Sequence, residues 1–154
     1  IVGNGDGFIG IGRAKGKEVG PSIKKAIDNA KLNMIEIKRG CGSWQCGCGQ
    51  AHSLPFEVVG TSGSVTVSLK PAPRGVSLAV GDVAKSLLTL AGVNDAWGFA
   101  RGNTKTKVNY AMATFDALRM TSRMRVTDEQ AKTLNIVSGP IGVSYAESTE
   151  QQEE

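Results

Sequence analysis

The sequence has few aromatic residues, a single histidine and no long apolar run. Phe, Trp and Tyr together make up 5% of the 154 residues, so few flat side chains are available for stacking on unpaired bases. No apolar segment approaches the ~20 residues that a membrane-spanning helix needs. These shortages argue against a membrane protein and against recognition of single strands mainly by base stacking.

The chain begins at Ile1 without a methionine and carries no secretory signal. Ile1 and Val2 have the character of residues inside a strand, so we expect the complete protein to have a preceding segment. An odd cysteine count, three, without a secretory signal favours a reducing compartment. The expected localisation is therefore the cytoplasm.

Positive charge is concentrated in the first four fifths of the chain. Residues 1–124 carry 16 Lys and Arg against 8 Asp and Glu, whereas residues 125–154 carry 2 against 6. A basic body with an acidic tail predicts a polyanionic partner, most commonly a nucleic acid.

The first forty residues have the pattern of a hairpin followed by a helix. Turn-forming glycines occupy residues 3–7, and an apolar strand follows them. Gly20 and Pro21 mark the start of a helix. Its predicted apolar stripe consists of Ile23, Ile27, Ala30 and Met34.

Beyond residue 53 a second unit with its own periodicity begins. The predicted elements are a strand over 54–59, a turn over 60–63, a strand over 64–70, a rigid Pro-rich loop over 71–75, a helix over 81–91, an extended segment over 94–102 and a long helix after Thr104. The apolar stripe of the long helix is predicted to be Val108, Ala111, Phe115 and Leu118. A short helix can follow at 126–134, and the acidic residues 147–154 are expected to be mobile.

All three cysteines and the histidine lie within twelve residues between the two units. Cys41, Cys46, Cys48 and His52 are the right number and type of ligands for tetrahedral zinc. Their spacing departs from paired CxxC motifs, although the glycines at 42, 47 and 49 would allow a tight wrap. The alternative interpretation is a packed connector with reduced thiols. Both stay open at this point, with no cofactor required and zinc as the one candidate.

Basic residues on both sides of the connector are the candidates for binding phosphates. From residue 13 to residue 39 there are eight basic and three acidic residues, which favours an RNA-binding surface over an ordinary solvated face. The predicted RNA-binding residues are Arg13, Lys15, Lys17, Lys24, Lys25, Lys38, Arg39, Arg74, Arg101, Lys105 and Lys107.

Several strings of residues resemble the S-five family of small-subunit ribosomal proteins, in the order in which that family has them. They are VGNGDGFIGIG at 2–12, AKGKEVGP at 14–21, RGCGSW at 39–44, LKPAPRG at 69–75, LAGVND at 90–95 and ATFDAL at 113–118. The insertion with the cysteines is similar to the archaeal form. The resemblance covers roughly residues 1–120.

The resemblance implies an α+β fold with two domains. Residues 1–40 would form a double-stranded-RNA-binding-like domain, incomplete at its N-terminus, and residues 54–124 a C-terminal βαβα domain typical of the S-five family. Residues 41–53 would be the connector and residues 125–154 an acidic extension.

The resemblance also implies a function. A member of this family is expected in the ribosome as a structural constituent of the small subunit, where it binds rRNA near the decoding region and the mRNA entry path and supports accurate translation. Its expected neighbours are proteins of the S-four, S-eight and S-two families, with no membrane partner and no catalysis. Two alternative functions are a free-standing zinc-stabilised RNA-binding module and a small-molecule kinase-like enzyme. The sequence lacks the Walker pattern that would support the second alternative.

Overall fold

The N-terminal unit is a three-stranded antiparallel sheet with one helix. In the computed structural model, which describes residues 1–139, strands β1 (Val2–Gly3), β2 (Phe8–Gly10) and β3 (Met34–Glu36) pair in the order β1-β2-β3. Helix α1 (Val19–Leu32) connects β2 to β3. The side chain of Asn4 shapes the predicted turn, because its Oδ1 accepts hydrogen bonds from the amides of Asp6 and Phe8 at 2.8 and 3.1 Å. The predicted hairpin and helix are confirmed.

Helix α1 docks by a face that shares only Ala30 with the predicted stripe. Ile23 and Ile27 are 54% and 40% exposed, and Ala30 is the one buried residue of the helix. A Cβ added at Gly12 would overlap the backbone of Ala26 and Ala30, so strand and helix meet almost backbone to backbone. Two amides complete this face: Asn29 Nδ2 donates to the carbonyl of Arg13, and Asn33 Nδ2 to that of Ile11.

The C-terminal unit is a four-stranded sheet covered by two helices. Its strands are β5 (Val58–Ser62), β6 (Val65–Pro71), β7 (Leu78–Ala79) and β8 (Ala96–Arg101), in the order β5-β6-β8-β7. All pairs are antiparallel except β7 with β8. Helices α2 (Asp82–Ala91) and α3 (Lys107–Arg123) lie against this sheet. The first strand begins four residues later than predicted, and the short β7 was not predicted.

The hydrophobic core belongs mostly to this second unit. Val65, Val67 and Leu69 are buried as their alternation predicts. Helix α3, however, buries Tyr110, Ala113, Thr114, Ala117, Leu118 and Thr121, while Val108 is 54% exposed. Gly60 explains the shift, since a Cβ there would overlap the backbone of Ala113 and Ala117. Ala113 and Ala117 therefore form the closest contact of α3 with β5, as Ala26 and Ala30 of α1 do at Gly12.

The last described segment returns to the first unit. Helix α4 (Asp128–Thr133) is followed by β9 (Val137–Ser138), which pairs with β4 (Lys38–Arg39) in an antiparallel two-stranded sheet. The short helix predicted near 126–134 is confirmed, with a capping box between Thr127 and Gln130. The predicted mobile acidic terminus, residues 147–154, lies outside the described residues. Over residues 1–139, no helix is both long and apolar enough to cross a bilayer.

Candidate functional site

A groove of about 750 Å³ runs between the two units. Its lining is mostly apolar, with residues such as Ile11, Leu32, Val108 and Phe115. The charged and amide side chains are Arg13 and Asn29 from the N-terminal unit, and Lys107, Asp116 and Arg119 from α3. Two residues of the predicted RNA-binding set, Arg13 and Lys107, thus face the same groove although they lie 94 positions apart in the chain. A groove with cations on both walls suits a phosphate backbone.

A second, smaller cleft continues from Lys107. Lys105 and Lys107 line it together with Asp82 and Tyr110. Arg101 is exposed at the end of β8, directly before the loop that carries Lys105. The fold therefore brings Arg13, Arg101, Lys105 and Lys107 to one side of the molecule.

The remaining predicted residues of the N-terminal unit are exposed around α1. Lys15 and Lys17 lie in the segment without regular structure that leads into the helix, and Lys24 and Lys25 lie in its second turn. Their side chains are accessible to a polyanion.

The structure corrects the prediction for Arg39. Arg39 is 2% exposed, and its Nη2 lies 2.6 Å from Asp6 Oδ1 and 2.8 Å from the carbonyl oxygen of Gly139. An arginine that is enclosed in this way is engaged within the protein and is not available to a phosphate. Lys38 is half-buried, and its Nζ donates to the carbonyl of Met124 at 2.6 Å. Neither residue is exposed like the other predicted contacts.

Arg74 lies far from the groove, at the other end of β8. Its loop approaches Ala96, whose amide donates to the carbonyl of Ser77 at 3.2 Å. Five residues of extended strand, at about 3.3 Å each, place this end roughly 17 Å from Arg101. Arg74 is exposed there, beside His52 and Asp95. The predicted RNA-binding residues therefore form two separate groups.

The connector is a loop closed at its base. Gly40 and Ser53 form an isolated antiparallel bridge with two amide–carbonyl bonds of 2.9 Å. Within this loop the Sγ atoms of Cys41, Cys46 and Cys48 and a ring nitrogen of His52 all lie within 4.8 Å of one another. The four predicted metal ligands are thus brought together.

Asp95 holds His52 in place. Asp95 Oδ2 lies 2.8 Å from His52 Nδ1, and both residues are buried. The opposite ring nitrogen, Nε2, faces Cys46 Sγ at 3.6 Å. The other carboxylate oxygen, Oδ1, accepts the amides of Gly75 and Ser77 at 3.1 and 2.7 Å. One carboxylate therefore connects the cysteine–histidine cluster to the loop of Arg74.

The thiols experience different environments. Burial, followed by the thiols of Cys46 and Cys48, raises the pKa of Cys41 to about 12. The nearby backbone amide of Arg74, followed by Cys48, lowers the pKa of Cys46 to about 6. The contact of the Arg74 loop with the cluster that the structure records runs through Asp95.

Asp95 was not singled out from the sequence. It follows Asn94 in a segment predicted only as extended, and its partner His52 lies 43 positions earlier. The one signal in the sequence is that Asp95 ends one of the strings that carry the resemblance, which gives no distance to His52.

Comparison with known proteins agrees with this architecture. The family model "Ribosomal protein S5, N-terminal domain" matches residues 1–38, and "Ribosomal protein S5, C-terminal domain" matches residues 60–133. The predicted α+β class is confirmed, whereas the double-stranded-RNA-binding-like character of residues 1–40 and the predicted domain boundaries stay predictions.

Curated relatives with the name small ribosomal subunit protein uS5 match most of the chain. The protein of Picrophilus torridus is 63% identical over 142 residues, that of Thermoplasma acidophilum 59% over 141, and that of Methanothermobacter thermautotrophicus 53% over 137. These matches cover 92%, 92% and 89% of this chain but 64%, 64% and 63% of the relatives, so the chain spans less than two thirds of their length. With both family models matched in order and such identity to archaeal proteins, the chain belongs to the ribosomal protein S5 family, uS5, in its archaeal form.

Proposed function

We propose that the protein is a structural constituent of the small ribosomal subunit in the cytoplasm, where it binds rRNA near the decoding region and the mRNA entry path and supports translation and its accuracy. The observation that carries the proposal is a groove that is lined both by Arg13 of the first unit and by Lys107 of the second. The chain that forms this groove belongs to the S5 family. The role is binding and assembly, without catalysis.

Phosphate neutralisation is the proposed source of affinity. Arg13, Lys105 and Lys107 line the two adjoining clefts, and Arg101 is exposed beside them. Cations that neutralise phosphates release counterions, so the affinity falls as salt rises. Duplex RNA hides its base edges in a deep major groove and is recognised mainly through its backbone and shape. The groove thus suits a folded rRNA segment better than a base-specific contact.

The exposed lysines around α1 form a further contact region. The contact would extend beyond the groove to Lys15, Lys17, Lys24 and Lys25. Arg74 would make a separate contact at the opposite end of β8 from Arg101. Two separated contact regions would let one protein join distant RNA segments. Proteins of the S-four, S-eight and S-two families are the proposed protein neighbours.

Salt dependence of rRNA binding tests the groove. The double variant Arg13→Gln with Lys107→Gln is compared with Lys85→Gln plus Lys132→Gln, which removes the same charge at exposed sites outside the proposed surface. We expect the groove variant to lower the slope of log affinity against log salt by about two and the control by much less. Equal slopes in the two variants would refute the groove as the contact, and a wild-type protein that fails to bind small-subunit rRNA would refute the proposed function.

Charge reversal before α1 tests the second region. Lys15→Glu with Lys17→Glu should weaken rRNA association and flatten its salt dependence, because two phosphate partners are lost and two like charges appear. The measurement is a filter-binding titration at several salt concentrations. An unchanged slope would remove both lysines from the interface.

A further inference from the structure

The cysteine–histidine cluster has the dimensions of a tetrahedral zinc site. Zinc bonds of about 2.3 Å to sulfur and about 2.05 Å to imidazole nitrogen place two sulfurs about 3.8 Å apart, and a sulfur about 3.6 Å from the nitrogen. In the structure Cys48 Sγ lies 3.7 Å from Cys41 Sγ, and Cys46 Sγ lies 3.6 Å from His52 Nε2. All four ligand atoms are within 4.8 Å of one another.

The geometry of the cluster is not that of thiols packed in a core or joined by a disulfide. A disulfide needs about 2.05 Å between its sulfurs, and all three cysteines are free. Cys46 and Cys48 are only half-buried, so burial among apolar side chains does not account for their convergence. Of the glycines that were predicted to allow a tight wrap, Gly49 has a φ of +62° and turns the chain directly after Cys48.

The histidine is oriented as metal-binding histidines are. The ring donates from Nδ1 to the Asp95 carboxylate, which leaves the lone pair of Nε2 directed at the cluster. A carboxylate behind a ligating histidine fixes its tautomer and raises its basicity. Three thiolates and one imidazole form a structural zinc set, whereas Mg²⁺ and Ca²⁺ take oxygen ligands.

We propose that Cys41, Cys46, Cys48 and His52 bind one Zn²⁺ ion, and that this ion fixes the loop that presents Arg74. The loop is held by a group that contacts one of the ligands. Asp95, the partner of His52, accepts the amides of Gly75 and Ser77. Ser77 has a φ of +64°, a left-handed conformation that is costly without glycine and needs such support.

The proposal concerns the metal and the loop and does not depend on whether Arg74 contacts RNA. Residues 41–52 are already closed at the base by Gly40 and Ser53. The ion therefore adds order inside a preformed loop, and the rest of the fold, with its separate core, can persist without it.

Metal content and cobalt spectroscopy of the full-length protein test the site. We expect one zinc ion per chain in the wild type, and Co²⁺ in its place should give the visible absorption of a tetrahedral complex with sulfur-to-cobalt charge transfer. Cys46→Ser should lose both signals, while Gln45→Ala, an exposed neighbour that is not a ligand, should keep them. A wild type without zinc, one with iron instead, or equal metal content in the two variants would overturn the proposal.

A second variant addresses the positioning of His52. Asp95→Asn should lower zinc affinity by about 10- to 100-fold in a competition with a chromophoric chelator, with the cobalt spectrum retained at saturating metal. An unchanged affinity would show that Asp95 does not support the ligand.

Hydrogen exchange tests the loop. Removal of zinc by a chelator should accelerate exchange of the amides of Gly75 and Ser77 in the wild type, with Val67 and Leu69 of β6 unaffected as internal controls. In Cys46→Ser the chelator should have no further effect. The link between the ion and the loop would be overturned if the chelator left the exchange rates of the Gly75 and Ser77 amides unchanged. It would also be overturned if exchange of the β6 amides accelerated to the same extent.

Discussion

Helices α1 and α2 have similar apolar patterns but differ in how many of their side chains are buried. Of the fourteen residues of α1 only Ala30 is buried, and Ile23 and Ile27 are about half exposed. Of the ten residues of α2, four are fully buried, Leu87 and Leu88 among them. Helix α1 packs through small residues against glycines of the adjoining strand, whereas α2 packs into the core through leucines.

The difference lies in what each helix faces. At α1 the glycines of the adjoining strand, Gly10 and Gly12, admit the helix backbone so closely that no large side chain fits between them. Helix α2 instead lies against α3, β7 and the first hairpin, and its two leucines belong to the same core cluster as Val67 and Leu69. Amphipathic spacing identifies a helix, but the partner surface decides which side is buried.

Truncation of a core leucine should have the largest effect. Leu88→Ala removes a fully buried side chain of α2 and should lower the free energy of unfolding by about 2–5 kcal/mol through lost burial and the remaining cavity. Urea denaturation measures it, with the exposed Ser86→Ala as control, expected within about 0.5 kcal/mol. Equal losses would mean that α2 is not anchored by its leucines.

Addition of one methyl group at Gly12 should have an intermediate effect. The new Cβ would overlap the backbone of Ala26 and Ala30, so Gly12→Ala should destabilise the protein by about 1–3 kcal/mol as α1 is pushed away. Gly20→Ala is the matched control, because nothing lies within 4 Å of a Cβ there. Gly20→Ala should change the free energy of unfolding by no more than about 0.5 kcal/mol. Similar results for both glycines would contradict backbone docking of α1.

Truncation on the outer side of α1 should have the smallest effect. Ile27→Ala removes a side chain that is 40% exposed and should cost about 1 kcal/mol or less. The same urea experiment checks it. A loss as large as that of Leu88→Ala would show that Ile27 is covered, and the contrast between the two helices would disappear.

Local patterns predicted the elements well, and distant partners account for what was missed. Alternation identified the buried face of β6, and the glycine turn identified the first hairpin. The four candidate ligands were evident because they are close in sequence. The role of Asp95 was not evident, because its partner His52 lies 43 positions away in the chain. The burial of Arg39 was not evident either, because its partner Gly139 lies 100 positions away.

The pairing of β4 with β9 has a consequence for the order of folding. Lys38 and Arg39 meet their partner strand only when Val137 and Ser138 have been made. At about 5–20 residues per second, roughly 5–20 s separate the synthesis of the two strands. During that time the Arg39 guanidinium lacks the Gly139 carbonyl that it binds in the folded chain. During synthesis, β9 is therefore the last of the described strands to become available.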